Sequence, residues 1–320
     1  QSYTITITNV QDEHGNVIDP ANDEATFTAL PAIENWIVLP AGDTTGIKFG
    51  TTAAYSVTYG NDKFVVVGLS GKASYSSDGI NWTVLPPGTD TGIKFGTSYA
   101  MSVTYGNDKF VVVGGGGMAS YSSDGINWTV LPAGDTTGIK FGTTDAYSVT
   151  YGNGKFVVVG DFGKASYSSD GINWTVLPAG DTTGIKFGTT AANSVTYGND
   201  KFVVVGTSGK ASYSSDGINW TVLPAGDDTG IKFGTSYAAN SVTYGNDKFV
   251  VVGFFGKASY SSDGINWTVL PAGDDTGIKF GTGSTANSVT YGNDKFVVVG
   301  TSGKASYSSD GINWTVLPAG

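Results

Sequence analysis

The chain has no cysteine and no arginine, and it has one histidine among its 320 residues. The absence of cysteine excludes disulfides and thiol chemistry. The single histidine, His14, excludes a histidine-based metal centre and disfavours a Ser–His–Asp triad. Without arginine, the chain cannot build a bidentate guanidinium clamp on a substrate carboxylate.

Charge of either sign is also scarce, at 14% of residues, and the formal net charge is −10. A surface of this sign is a poor partner for nucleic acid, because phosphate binding needs clustered positive charge. No run of 18 apolar residues occurs, so we expect no membrane insertion. Because residue 1 is Gln rather than Met, we expect the chain to be part of a larger protein.

Tryptophan marks a regular internal repeat. It occurs at positions 36, 82, 128, 174, 220, 267 and 314, which gives four intervals of 46 residues and then two of 47. A fixed period of this size indicates a solenoid, a propeller or a similar array. Glycine is frequent, with 48 residues, which indicates many tight turns.

Each copy of the repeat predicts four short strands, called A to D. In the first complete copy these are Ser56–Tyr59, Phe64–Val67, Ala73–Ser76 and Trp82–Leu85. Strand B is apolar at every position, which is typical of a strand buried on both faces. Turn residues separate the strands, and Pro86 ends the copy.

Four antiparallel strands per repeat predict an all-β fold, a β-propeller of four-stranded blades, rather than an open solenoid. Residues 47–320 contain six near-identical copies, and residues 1–46 are predicted to form a degenerate seventh blade. An alternative has six blades, with N-terminal strands such as Tyr3–Thr8 belonging to an immunoglobulin-like module.

The turn between strands C and D has the sequence Ser76-Ser-Asp78-Gly79-Ile-Asn-Trp82. It resembles the Asp-box, or BNR repeat, of sialidase-like propellers, although Asp and Gly lie one residue closer together than usual. The resemblance implies a structural role, because these turns lie opposite the active face in that family. The corresponding residues are Asp78, Asp124, Asp170, Asp216, Asp263 and Asp310 with Trp82, Trp128, Trp174, Trp220, Trp267 and Trp314.

The copies differ mainly in two places, just before strand A and just after strand B. Because strands alternate in direction, the D–A and B–C connections should emerge on one face of the propeller. Variable aromatic and small polar residues on rigid loops are typical of binding surfaces. The candidate ligand-binding residues are Tyr55, Leu69, Tyr99, Met101, Asp145, Tyr147, Asp161, Phe162, Asn193, Tyr237, Asn240, Phe254, Phe255 and Asn287.

These observations favour a binding protein without enzymatic activity, and they identify no catalytic residue, metal or cofactor. The three glutamates, Glu13, Glu24 and Glu34, all lie near the N-terminus, and the aspartates lie in turns, so no paired carboxylates for glycoside hydrolysis are evident. We expect a lectin-like monomer, secreted or on a bacterial cell surface, that binds glycan or protein. The alternatives are a structural spacer or adhesin segment without a specific ligand, and a glycan-active hydrolase.

Overall fold

A computed structural model describes residues 10–11, 17–18 and 38–317. The chain divides into two compact units, residues 1–39 and residues 40–320. In the first unit, β1 (Val10–Gln11) pairs with β2 (Val17–Ile18) in an antiparallel hairpin.

The second unit consists of six four-stranded antiparallel sheets, each a blade with its strands in chain order. The first blade contains β3 (Ala54–Gly60), β4 (Lys63–Gly68), β5 (Ala73–Ser76) and β6 (Thr83–Leu85). The other five are β7 (Ala100–Gly106), β8 (Lys109–Gly114), β9 (Ala119–Ser122) and β10 (Thr129–Leu131); β11 (Ala146–Gly152), β12 (Lys155–Gly160), β13 (Ala165–Ser168) and β14 (Thr175–Leu177); β15 (Ala192–Gly198), β16 (Lys201–Gly206), β17 (Ala211–Ser214) and β18 (Thr221–Leu223); β19 (Ala239–Gly245), β20 (Lys248–Gly253), β21 (Ala258–Ser261) and β22 (Thr268–Leu270); and β23 (Ala286–Gly292), β24 (Lys295–Gly300), β25 (Ala305–Ser308) and β26 (Thr315–Leu317).

The predicted strands are confirmed, with small differences at their ends. Strand A begins two residues early, at Ala54, because the register shifts between Ala54 and Ser56 and the extra residue is accommodated there. Strand D begins at Thr83 rather than at Trp82. Trp82 belongs to the preceding turn, because its indole N–H donates to the Gly79 carbonyl. Strand B is buried, as its apolar sequence predicts.

The β-propeller fold and its four-stranded blades are confirmed, and the described residues contain six blades rather than seven. This agrees with the six-blade alternative. The degenerate blade predicted for residues 1–46 lies largely outside the described residues, and residues 38–46 contain no strand.

The core lies between blades rather than within them. Between the first two blades, Val65 and Val67 of one sheet pack against Val103, Phe110 and Trp128 of the next. The same cluster recurs at the next four interfaces. Burial against a neighbour therefore holds each blade in place, as expected of a repeat that cannot bury its apolar faces alone.

Candidate functional site

Both sets of variable residues lie at one end of the blades, as the alternating strand directions require. At the B–C connection the backbone forms a short 3-10 turn, which in the first blade is Leu69–Gly71. The Leu69 amide donates to the Ala53 carbonyl just before strand A, so the two variable segments touch. We call this end, formed by the segments before strand A and the six B–C turns, the variable end.

The middle residue of each B–C turn has a left-handed backbone. This conformation suits glycine and is unfavourable for a bulky side chain. Gly116 occupies the position in the second blade with φ 65°. Phe162 and Phe255 occupy it in the third and fifth blades, with φ 54° and 57°. Their side chains are 51% and 49% exposed, so neither burial nor backbone preference accounts for phenylalanine here.

The fifth blade carries the largest aromatic group at this end. The Phe255 ring centroid lies 5.4 Å from that of Tyr237 and 6.4 Å from that of Phe254, both in edge-to-face geometry. The Lys257 ammonium lies 4.3 Å from the Tyr237 centroid, over the ring. We call Tyr237, Phe254 and Phe255 the aromatic patch. It resembles a small preformed anchor, because its rings support one another yet remain partly exposed.

Three other candidate residues have partners within the fold. Asn193 donates its side-chain N–H to the Ala239 carbonyl of the next blade, and Asn240 donates likewise to Ala286. The Asp145 carboxylate accepts the Gly116 amide, which joins the second blade to the third. These contacts align neighbouring blades.

The remaining candidates are distributed around the variable end. Partial burial, and then the charges of Asp161 and Asp145, raise the pKa of the Tyr147 hydroxyl. Tyr55 lies in the cleft between the first and sixth blades. The structure places Leu69 and Asp161 in B–C turns and Tyr99 just before β7, while Met101 lies in β7 and Asn287 in β23.

The Asp78 turn lies at the opposite end and is a closed hydrogen-bond system. Its Oδ1 accepts the backbone amides of Ile80 and Asn81 at 2.8 and 2.7 Å, while Oδ2 accepts the Asn81 side-chain amide at 2.8 Å. The Ser76 hydroxyl donates to the same carboxylate. These donors, the Asn81 amide first, hold the pKa of Asp78 well below its usual range. A carboxylate committed in this way is unsuited to proton transfer near neutral pH.

The turn is repeated in all six blades, with the same effect on acidity. At Asp263, partial burial acts to raise the pKa, but hydrogen bonds from Asn266, Ile265 and Ser261 outweigh it and lower the pKa to about 2. Asp310 behaves in the same way, also with a pKa of about 2. The geometry supports the structural role that the sequence indicated for these residues.

The long D–A loop has a role that sequence reasoning missed. Ile47 and Phe49 are apolar, and their carbonyls accept hydrogen bonds from Ser74 and Lys72 of the blade that follows. Phe49 is buried, as are Ile93 and Phe95 of the next loop. The recurrence of Gly-Ile-Lys-Phe-Gly in every copy was the available signal. The constancy of the Gly-Ile-Lys-Phe-Gly segment therefore follows from packing.

The described residues hold no group of three or more His, Asp or Glu side chains arranged for a metal ion. In the same part of the chain, no helix is long and apolar enough to cross a membrane.

No protein-family model matches the sequence, and no curated protein matches it. Solved structures do match the fold. The structure titled "YCF48 bound to D1 peptide" superposes with a TM-score of 0.60 at 16% identity, over 87% of this chain and 86% of that one. YCF48 from Cyanidioschyzon merolae gives 0.61 at 16%, over 83% and 85%. YjhT gives 0.52 at 12%, over 83% and 97%. At these identities the similarity shows the fold alone: the chain is a β-propeller.

Proposed function

We propose that this protein is a non-enzymatic binding propeller that uses its variable end to hold a protein or glycan ligand. The observation that carries the proposal is the pair Phe162 and Phe255, which are both exposed and both in a left-handed backbone. Exposure of a large apolar ring and a left-handed backbone are each unfavourable for folding, and both occur at these two residues. Strained residues that stability does not explain are characteristic of functional sites.

Variation between copies supports this proposal only in combination with that observation. The constant segments have side chains that make contacts: the Asp turns are hydrogen-bonded, and the Gly-Ile-Lys-Phe-Gly part of the D–A loop is packed. Residues free of such contacts could vary without consequence. Neutral variation does not, however, explain two phenylalanines at a position that favours glycine.

The similarity to YCF48 supports the class of function. A propeller of the same fold has been solved in complex with D1 peptide, so the scaffold is compatible with peptide binding. The absence of arginine and the committed Asp turns support a role without catalysis. The Asp-box resemblance supports a common origin with sialidase-like propellers, in which this chain has retained the blade. We also propose a secreted or cell-surface location.

The test uses sequences that the chain itself provides. The fourth blade has Thr207-Ser208 where the fifth has Phe254-Phe255, so Phe254→Thr with Phe255→Ser replaces the rings by residues known to fit this turn. We expect at least a tenfold loss of affinity for ligands found on glycan and peptide arrays, with an unchanged thermal midpoint.

The matched control lies at the opposite end. Asp108→Gly reproduces the Asn153-Gly154 turn of the third blade at the equivalent position of the second, and it should leave binding intact. Equal binding by the parent and the Phe254/Phe255 variant would overturn the use of the aromatic patch. Hydrolysis of an aryl glycoside, abolished by substitution of a carboxylate in the propeller, would overturn the absence of enzymatic activity.

A further inference from the structure

The five interfaces between consecutive blades define what each face of a blade requires. One face presents the valines and tyrosine of strands B and C, such as Val65, Val67 and Tyr75. The next blade covers it with Val103 and Trp128, from the opposite face of its own sheet. Every blade therefore carries two different apolar faces that fit each other.

Polar contacts repeat with the same regularity. Asn61 donates its side-chain N–H to the Ser123 carbonyl of the second blade, and the Val103 amide donates to the Ser56 hydroxyl of the first. Equivalent pairs join every later pair of consecutive blades. Within residues 38–317, neither contact is made between the sixth blade and the first.

The faces left at this point are exposed. Val57 of the first blade is 59% exposed, whereas each of its five counterparts, such as Val103, is 5% exposed. Val299 of the sixth blade is 45% exposed, whereas its counterpart Val67 is 0% exposed. A cleft of about 360 Å³ lies between the inner strands of the two blades and is lined by Ala54–Val57, Val66 and Ser288–Thr290.

A glycine in strand A shows the same asymmetry. A Cβ atom on Gly245 would lie 2.0 Å from Cγ of Tyr291 in the next blade. Only glycine at position 245 therefore leaves room for the Tyr291 ring. Gly292 is the equivalent residue of the sixth blade, and no atom of the described residues lies within 4 Å of its Cβ position. The corresponding tyrosine of the first blade, Tyr59, is 55% exposed.

We propose that the facing surfaces of the sixth and first blades bind one further copy of this repeat, presented by another polypeptide. One blade of this sequence carries both required faces. Its face equivalent to Val103 and Trp128 fits the sixth blade, and its face equivalent to Val65, Val67 and Tyr75 fits the first. The occupant is thus identified by continuity with five interfaces that the chain already forms. A complete second ring does not suit the cleft, because nearly all of its blades already have neighbours on both sides. The inference is independent of the variable end.

The probe is a fluorescent 46-residue polypeptide with the sequence of residues 133–178, which contains one D–A loop and four strands. We expect it to bind the full chain saturably at one site, measured by fluorescence anisotropy. Val57→Asp with Val299→Asp should weaken binding at least tenfold, because both carboxylates would be buried on docking. Val130→Asp, on the exposed outer strand of the second blade, is the matched control and should bind normally.

Because a single repeat could fail to fold alone, a second measurement joins the same 46 residues to the full chain after Gly320. The added copy should resist proteolysis and raise the thermal midpoint. An added copy that is digested as fast as an unfolded tail would overturn the proposal. So would slow amide exchange of residues 54–60 in the chain alone, equal to that of residues 100–106, since something else would then cover the face.

Discussion

At the scale of single residues, the side chains at the two ends of a blade serve different purposes. Asp78 and its counterparts are saturated with hydrogen-bond donors and support turns. Phe162 and Phe255 are about half exposed, and we propose that they contact a ligand. Repetition made the aspartates conspicuous in the sequence, yet it is the exceptions to the repeat that the geometry favours as a site.

Loss of one Asp turn should have a measurable but local cost. Asp170 accepts the backbone amides of Ile172 and Asn173, much as a helix N-cap residue does. We expect Asp170→Ala to lower the free energy of unfolding by about 1 kcal/mol, the usual cost of losing such a cap. Asp228→Ala, which removes an exposed carboxylate from a D–A loop, should change it by less than about 0.5 kcal/mol in the same urea titration.

Relief of strain at the variable end should stabilise the protein. Phe162→Gly places the residue found at Gly116 into the same left-handed turn. We expect the free energy of unfolding to rise by about 0.5–1 kcal/mol, because glycine adopts φ near 54° without penalty. By contrast, Phe156→Ala, in the buried core, should cost about 3–5 kcal/mol. A destabilised Phe162→Gly protein would show that this ring contributes to folding.

At the scale of elements, the four strands of each blade were predictable and the B–C turn was not. Valine runs and turn residues such as Gly-Asn-Asp placed strands A to D within two residues of their observed ends. The 3-10 turn Thr207–Gly209 is closed by a local contact, the Lys210 amide donating to the Thr207 carbonyl, and the equivalent bond occurs in all six described blades. A three-residue segment carries too little pattern to indicate such a contact.

The interface between blades can be probed with a pair of identical substitutions. Gly106→Ala would place Cβ 2.1 Å from Cγ of Tyr151, whose ring is fixed against Phe156 at 4.7 Å. We expect a cost of at least about 1–3 kcal/mol from overpacking. Within the described part of the chain, Gly292→Ala meets nothing within 4 Å, so we expect it to be close to neutral. If both proteins melted at the same temperature, either the packing at Gly106 or the openness at Gly292 would be wrong.

At the scale of the whole molecule, the number of blades was the feature that sequence could not decide. The seventh tryptophan, Trp36, favoured a seventh blade. A tryptophan, however, marks only the start of the last strand of a blade and not the three strands before it. The residues around Trp36 lie outside the described ranges. Candidate ligand-binding positions were found because copies differ, whereas the contacts of Asn193, Asn240 and Asp145 depend on neighbouring blades and were not visible in one repeat.

The six Asp turns together should make the propeller sensitive to acid. Hydrogen bonds lower the pKa of all six carboxylates in the folded state, to about 2 at Asp263 and Asp310, whereas an unfolded aspartate has a pKa near 3.9. Unfolding therefore takes up protons at about pH 3, and the stability that these groups supply is present above pH 4 and lost as the pH falls towards 2. Urea titrations from pH 6 to 2.5 should show this loss, with an uptake of about five protons from these turns near pH 3. The Asp170→Ala protein should take up about one proton fewer, since it retains five of the six groups.

A midpoint that stays constant from pH 6 to pH 2.5 would contradict the assignment, because the lowered pKa values require the unfolded chain to bind the additional protons.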